Sequence, residues 1–235
     1  MCFRRFKHNS IDMRIFLIVF MLMHSIVNAQ RDDIVLQKEK RDFAFSSILA
    51  MKEGVLVVRL HTNSKKIELL KRTANDPGLR ESQRKRHQRL LDATIKVRDE
   101  FNAAISSTFL DSFRFCEVVL MYDTSFQQLK KGKRSGIFLD RSLKMDSSIH
   151  IDEEQSVFIV NYKAKSGEFP YDILRIRRLE EKLDEPFPYY MPIRASWLNN
   201  INTPRAENVI RLMNYRLQKF YLRALEWQLK NKAKP

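Results

Sequence analysis

Four side chains of this chain have types and positions suited to chemistry: His61, Cys116, Asp123 and Asp140. All but Cys116 lie near predicted strand ends or turns, where the active sites of α/β folds gather. Cys116 lies within the predicted strand Phe113–Tyr122, and small thiols at such positions are commonly core residues. The four residues are therefore catalytic candidates for an enzyme whose site is assembled from distant parts of the chain.

The sequence predicts no metal site and no cofactor. His61, His87 and His150 do not pair at ligand spacing, and a zinc site needs three or four ligands. The glycines of Gly132–Gly136 do not have the spacing of a phosphate-binding loop, and the dinucleotide and serine-hydrolase glycine motifs are absent from the sequence. A redox motif of two cysteines two residues apart is also missing.

The strongest charge feature is a basic cluster on the first turns of a predicted long helix. Its five members are Arg80, Arg84, Lys85, Arg86 and Arg89. Cations at a helix N-terminus oppose the helix dipole, so the cluster is a candidate anion-binding site. The alternative is a solvated helix face in a basic protein. Aromatic residues are not interleaved with these cations, which argues against nucleic acid as the partner.

The first thirty residues have the three parts of an export signal. Four cations come first (Arg4, Arg5, Lys7 and Arg14), and an apolar run, Ile15–Met23, follows. Ala29 then precedes Gln30, and this small residue predicts cleavage after Ala29. Either Met1 or Met13 can start such a signal. The alternative, an uncleaved anchor, is disfavoured because the apolar run falls short of the roughly 20 residues that span a bilayer. We expect a periplasmic or secreted protein with no transmembrane segment after cleavage.

Cleavage leaves Cys116 as the last cysteine, so no internal disulfide can form. Export without disulfides is typical of a bacterial envelope protein. The formal charge is +15, and loss of the four basic residues and one acidic residue of 1–29 leaves +12. Such a charge attracts anionic envelope components or an acidic protein. The predicted organisation is a signal peptide over 1–29, an N-terminal tail over 30–50 with one helical turn, and a single domain over 51–235.

The remaining pattern predicts an α/β fold. Predicted strands cover Gly54–Leu60, Phe113–Tyr122, Gly136–Asp140, Ser156–Tyr162 and Ile173–Ile176, and predicted helices cover Lys65–Arg72, Arg80–Phe109, Ser125–Lys130 and a segment capped by Thr203. We expect a mixed sheet of about four or five strands in one domain. One long central helix and a C-terminal helix packed on it would cover this sheet.

The pattern also predicts one buried helix face and one irregular stretch. The long helix would bury the face formed by Leu90, Thr94, Val97, Phe101, Ala104 and Thr108. Three prolines within Pro186–Pro192 remove backbone donors, so this stretch cannot be regular helix or a central strand. It is predicted to be an extended, aromatic-lined connection.

Several short phrases resemble a group of uncharacterised exported proteins of Bacteroidota-type bacteria. The phrases are the signal end Asn28-Ala-Gln30, the strand Gly54–Leu60, Phe113-Arg-Phe-Cys-Glu-Val-Val119 and Pro186-Phe-Pro-Tyr-Tyr190. The resemblance covers most of the chain after the signal. It implies an envelope location and no catalytic residues.

Three hypotheses of function remain open on the sequence. The first is an exported envelope protein that acts as a non-enzymatic interaction or structural module through a basic surface. The second is a hydrolase or other enzyme that uses the four dispersed candidates. The third is a redox-inactive, thioredoxin-like scaffold. A pocket that brings two or more of the candidates within hydrogen-bond reach would favour the second.

Overall fold

A computed structural model describes residues 35–164, 172–193 and 203–232, with the backbone alone for 203–205. The predicted signal peptide lies outside the described residues. The chain divides into two compact units, Met1–Phe43 and Ala44–Pro235. In the first unit the described residues, 35–43, are all helical. The elements described below belong to the second unit.

The described part of the second unit contains six strands and five helices. In chain order they are α1 (44–53), β1 (Val55–Leu60), α2 (Ser64–Ala74), α3 (Glu81–Ser112), β2 (Glu117–Tyr122), α4 (Phe126–Lys130), β3 (Phe138–Leu139), β4 (Val157–Lys163), β5 (Asp172–Arg178), β6 (Tyr190–Ile193) and α5 (Thr203–Lys232). A single 3₁₀ turn, Asp123–Ser125, joins β2 to α4. The predicted α/β fold is confirmed.

The six strands form one mixed sheet in the order β3-β2-β1-β4-β5-β6. β1 lies parallel to both β2 and β4, and the outer pairings are antiparallel. After β1 the chain passes through α2 and α3 to β2 on one side, and β4 lies on the other side. The carboxyl ends of β1, β2 and β4 therefore meet at one edge. The gap between β1 and β4 is the point where ligands commonly bind in open α/β sheets.

Gly54 allows the entry into β1. A Cβ atom at this position would lie 2.3 Å from the Ser156 carbonyl oxygen and 2.9 Å from that of Ala50. The amide of Val55 donates to the same Ser156 oxygen at 3.0 Å, so the first contact between β1 and the start of β4 needs a residue without a side chain.

One face of the sheet is half covered. Alternate residues of the three parallel strands pack with α4 and the segment after it in one apolar cluster, whose members include Val55, Val57, Val119, Met121, Phe126, Leu129, Val157 and Ile159. Because side chains alternate along a strand, the next residues on this face are Arg59 of β1 and Asn161 of β4. The apolar cluster therefore covers this face only as far as Val57 and Ile159, and the face is polar and charged from Arg59 and Asn161 onward.

The two longest helices pack together at the end of α3. The Asn214 side chain of α5 accepts a hydrogen bond from the Arg114 amide at 3.1 Å and donates one to the Ser112 carbonyl at 2.7 Å. The Phe101 ring of α3 stands edge-on to Tyr162 of β4, with ring centroids 4.8 Å apart. The predicted long helix and the C-terminal helix packed on it are therefore confirmed.

The described residues form six strands, slightly more than the predicted four or five. The additional strand, β6, lies in the stretch predicted to be an extended connection, and it pairs only with β5, at the edge of the sheet. Pro192 lies opposite Ile173 in this pairing. An edge strand tolerates the missing donor of proline, which explains why the stretch is extended and can still pair.

Two local predictions were wrong. Residues 44–50, assigned to a tail with one helical turn, are wholly helical, and Ala44, Phe45 and Ile48 are buried. Their spacing is that of a short apolar helix face. In α3 the buried face is Leu91, Phe101, Asn102, Ile105, Ser106, Thr108 and Phe109. Phe101 and Thr108 of the predicted face are buried, but Leu90 and Val97 are exposed. α3 extends beyond the core, and its buried face includes two polar side chains that the pattern did not count, Asn102 and Ser106.

Candidate functional site

His61 and Asp123 come together at the edge formed by the carboxyl ends of the parallel strands. Leu60 and Tyr122, the last residues of β1 and β2, are paired across the sheet, so the next residue of each strand emerges beside the other. The His61 Nδ1 and Asp123 Oδ2 atoms are 3.9 Å apart, which allows an ion pair but is too long for a hydrogen bond.

The Asp123 carboxylate also holds the turn after β1. Its Oδ1 atom accepts hydrogen bonds from the Thr62 hydroxyl at 2.6 Å and the Thr62 amide at 3.1 Å. Asn63, the next residue, has a left-handed backbone with φ of 51°. This conformation is uncommon for a residue with a side chain, and asparagine tolerates it better than most. The carboxylate therefore has a structural role in addition to its contact with His61.

His61 is fixed by its backbone and by its ring. The buried Asn102 side chain of α3 accepts from the His61 amide at 3.2 Å and donates to its carbonyl at 2.8 Å. The Nε2 atom lies 3.2 Å from the Tyr162 carbonyl oxygen. Because a carbonyl only accepts, Nε2 carries the hydrogen, and Nδ1 is the nitrogen that faces Asp123.

A small cavity of about 160 Å³ opens beside the His61 ring. Its walls are His61, Asn63, Val97, Arg98, Phe101, Tyr162 and Ala164. The lining is largely apolar, and Asp123 is not part of it. The cavity has about the volume that holds a single benzene-sized group. The edge thus combines a fixed imidazole with a pocket for a small apolar group.

Cys116 and Asp140 are not part of this arrangement. Cys116 precedes Glu117, which pairs with Val55 at the opposite ends of these strands. Burial raises the pKa of the Cys116 thiol to about 12, so the thiolate needed for nucleophilic attack is not populated at neutral pH. The Asp140 carboxylate accepts from the Lys144 amide at 2.9 Å and closes a turn. The structure therefore brings together two of the four candidates.

The predicted cationic cluster lies on the first turns of α3. Arg80 occupies the N-cap, and its amide donates to the Gln83 side chain at 3.2 Å. Lys85 pairs with Glu81 at 2.5 Å. Of the five cations only Arg84 is half-buried, and its Nε atom lies out of water without a hydrogen-bond partner. The cluster is otherwise a solvated helix surface, and its role as an anion site stays a prediction.

A second basic region, which the sequence analysis missed, occupies the open part of the half-covered sheet face. Arg59, Asn161 and Arg175 lie side by side in one row across β1, β4 and β5. Arg177 lies in the next row, opposite Ile159. Together with neighbouring side chains they line a groove of about 500 Å³, which we call the arginine groove. Its lining is Arg59, Lys130, Asn161, Lys163, Arg175, Arg177, Arg178, Leu179, Glu180, Glu181 and Lys182.

The guanidinium groups of the arginine groove rest on aromatic rings. Those of Arg59 and Arg177 lie 4.8 Å and 4.6 Å from the centroid of the Phe126 ring. That of Arg175 lies 5.7 Å from the Tyr189 ring. Such cation–π contacts hold the long side chains on the sheet surface and half bury them.

The charges of these three arginines are not neutralised within the described part of the chain, where no carboxylate forms an ion pair with Arg59, Arg175 or Arg177. The Arg59 Nε atom is buried, and no described residue accepts a hydrogen bond from it. The pKa of Arg177 is lowered, first because burial desolvates its charge and second because Arg59 and Arg175 repel it. Of the two carboxylates at the rim, Glu181 pairs with Arg178 at 2.8 Å.

The signal for this groove was present in the sequence. Arg59 interrupts the apolar run of β1, and Arg175 and Arg177 alternate with apolar residues in β5. A cation inside a buried strand is unusual unless it has a partner. What the sequence could not supply was the register that places the three arginines on one face.

Two negative findings bear on the function of the chain. Neither a family model, nor a curated protein, nor a solved structure matches the chain. Over the described ranges, no group of three or more His, Cys, Asp or Glu side chains could hold a metal ion, and no helix has the apolar length to cross a bilayer.

Proposed function

We propose that this protein is an exported interaction module that binds an anionic ligand in the arginine groove. The observation that carries the proposal is the set of Arg59, Arg175 and Arg177, which share one sheet face and form no ion pair with a carboxylate of residues 35–164, 172–193 or 206–232. Export is the expectation from residues 1–29. The ligand would then be an anionic envelope component or an acidic protein.

Physical chemistry favours an anion at this place for two reasons. Half-buried cations that repel each other raise the free energy of the empty protein, and an anion relieves this repulsion. Guanidinium groups also bind oxyanions with paired, directed hydrogen bonds, which are stronger than those between neutral groups. The common chemistry of the ligand is therefore a phosphate, sulfate or carboxylate group.

The test measures binding of two probes, inorganic pyrophosphate and a heparin oligosaccharide, by calorimetry. The groove variant carries Arg59→Gln and Arg177→Gln, and the control carries Arg86→Gln and Arg89→Gln on α3. The two variants lose the same charge. Each lost arginine contact is expected to weaken pyrophosphate binding roughly ten- to hundredfold in the groove variant, because a charge-assisted hydrogen bond contributes about 1.5–3 kcal/mol. The control is expected to bind like the parent.

Two outcomes would contradict the proposal. Loss of binding in the α3 control alone would move the site to the predicted cluster. Equal loss in both variants would indicate a non-specific response to net charge. The two probes distinguish a compact ligand from an extended polyanion. A groove that fits a single oxyanion group binds pyrophosphate, whereas a site for an extended polyanion binds only the heparin oligosaccharide.

A second candidate function is enzymatic and rests on the meeting of His61 and Asp123. A fixed imidazole beside a cavity can act as a general base, and the neighbouring carboxylate can stabilise its protonated form. A screen with small esters and phosphate esters tests this function, with His61→Gln as the inactive variant and Asp140→Asn as the control. Activity that survives His61→Gln would count against it. The redox-inactive scaffold stays a prediction.

A further inference from the structure

The outer face of α5 carries a line of exposed apolar side chains. The inner face packs into the core through Ala206, Ile210, Met213, Leu217, Phe220 and Ala224. On the opposite side Leu212, Tyr215, Leu222 and Leu229 are exposed, with 44–68% of each residue open to water. The core does not need these four side chains, so their position calls for a different explanation.

The spacing aligns these side chains along the helix. Residues 212, 215, 219, 222, 226 and 229 follow each other at steps of three and four, so they form one straight line on a helix surface. This line is roughly 26 Å long at a rise of about 1.5 Å per residue. Lys219 and Glu226 are its two polar members.

Cations border the apolar line. Arg216, Arg223 and Lys230 recur at steps of seven along one side, and Arg211 lies on the other. All four are exposed, and none of them pairs with a carboxylate among the described residues. Glu226 is the one acidic group in the line or on its borders. Four of the six positions along the middle of the face are therefore apolar, two are charged, and the margins are positive.

A second copy of the chain fits this face poorly. In an antiparallel pair of α5 helices, Arg216 would face Arg223 of the other helix. In a parallel pair, Arg211 would face Arg216. Like charges would thus oppose each other in either orientation. An anionic lipid surface instead offers acyl chains to the leucines and negative headgroups to the border cations.

We propose that the outer face of α5 docks on the surface of an anionic lipid bilayer. The helix lies in the plane of the interface, with Leu222 and Leu229 inserted and Tyr215 at headgroup level. This inference goes beyond the proposed ligand site and uses none of the residues of the arginine groove. The two proposals can therefore fail separately.

The first test is co-sedimentation of the protein, recovered from an exporting host, with phosphatidylglycerol-containing vesicles and with pure phosphatidylcholine vesicles. We expect binding to the anionic vesicles that weakens as salt is added, because added ions screen the border charges. Leu222→Asp is expected to weaken it at least tenfold, and Arg216→Gln with Arg223→Gln roughly fivefold per cation. Leu69→Asp is the control, because Leu69 is 65% exposed on α2.

A second measurement reports insertion directly. In Leu222→Trp, brominated lipids are expected to quench fluorescence more than in the parent, whereas Leu69→Trp should add no quenching. Equal vesicle binding by Leu222→Asp and Leu69→Asp would overturn the proposal. So would dimerisation in analytical ultracentrifugation that Leu222→Asp abolishes, because it would assign the face to a second copy. The proposal would also be overturned if the variant with Arg59→Gln and Arg177→Gln lost vesicle binding while the α5 variants kept it, because the lipid headgroups would then bind in the arginine groove.

Discussion

The two basic regions of this protein differ in what surrounds their charges. The cations at the start of α3 are mostly exposed, and Lys85 has Glu81 as its partner. Arg59, Arg175 and Arg177 of the arginine groove are half-buried on aromatic rings, and among the described residues no carboxylate forms an ion pair with them. Exposed cations contribute little to the free energy of ligand binding, because water already solvates them in the absence of a ligand. A cation held on a low-dielectric surface without a partner is a stronger sign of a ligand than a larger number of solvated ones.

The largest expected difference in unfolding free energy concerns Phe126, the ring beneath two arginines of the groove. Phe126 is buried beneath Arg59 and Arg177, and Phe126→Ala is expected to lower the free energy of unfolding by about 3–5 kcal/mol. Leu90→Ala, on the exposed surface of α3, should change it by no more than about 0.5 kcal/mol. Urea denaturation measures both. Similar losses in the two variants would remove the contrast between a packed and a solvated basic region.

Stabilisation by the ligand comes next in size. At a pyrophosphate concentration 100 times the Kd, the parent is expected to gain about 2.7 kcal/mol in unfolding free energy. The variant with Arg86→Gln and Arg89→Gln should gain as much, and that with Arg59→Gln and Arg177→Gln almost nothing at the same concentration. Thermal unfolding with and without pyrophosphate measures this gain in stability. A full gain in the groove variant would place the anion elsewhere.

The smallest effect concerns single charges in the protein without ligand. Glu81→Gln removes a surface ion pair with Lys85 and is expected to lower unfolding free energy by about 0.3–0.5 kcal/mol. Arg177→Gln removes a repelled, partly desolvated charge, so it should not lower it. Chemical denaturation of both variants at low salt makes the comparison. A larger loss for Arg177→Gln would mean that the empty groove is already stabilised.

The sequence was sufficient for features set by local patterns. The apolar run of β1, the amphipathic pattern of α5 and the prolines before and within β6 each determine a conformation over a short stretch. The positions of His61 and Asp123 at strand ends also followed from such patterns, and parallel strands with a shared edge brought them together. Cys116 is half-buried but precedes β2, because this strand begins at Glu117 and not at the predicted Phe113.

The arginine groove could not be predicted, because it depends on strand order and register. Arg59 and Arg175 are far apart in sequence and share a row only because β4 lies between β1 and β5. The partial cover by α4 likewise decides which end of this sheet face stays open. The buried face of α3 was misjudged for a related reason. Its polar residue Asn102 is buried because it hydrogen-bonds the His61 backbone, a contact that no helical periodicity encodes.

The most direct test of the groove is an NMR titration that follows the arginine side-chain Nε–H signals as pyrophosphate is added. The Arg59 Nε–H group is buried and has no hydrogen-bond acceptor among the described residues, so its signal responds strongly to a new acceptor. We predict saturable shifts for Arg59, Arg175 and Arg177, with the α3 arginines unchanged. Shifts confined to Arg80, Arg84, Arg86 and Arg89, or uniform small shifts without saturation, would contradict the account.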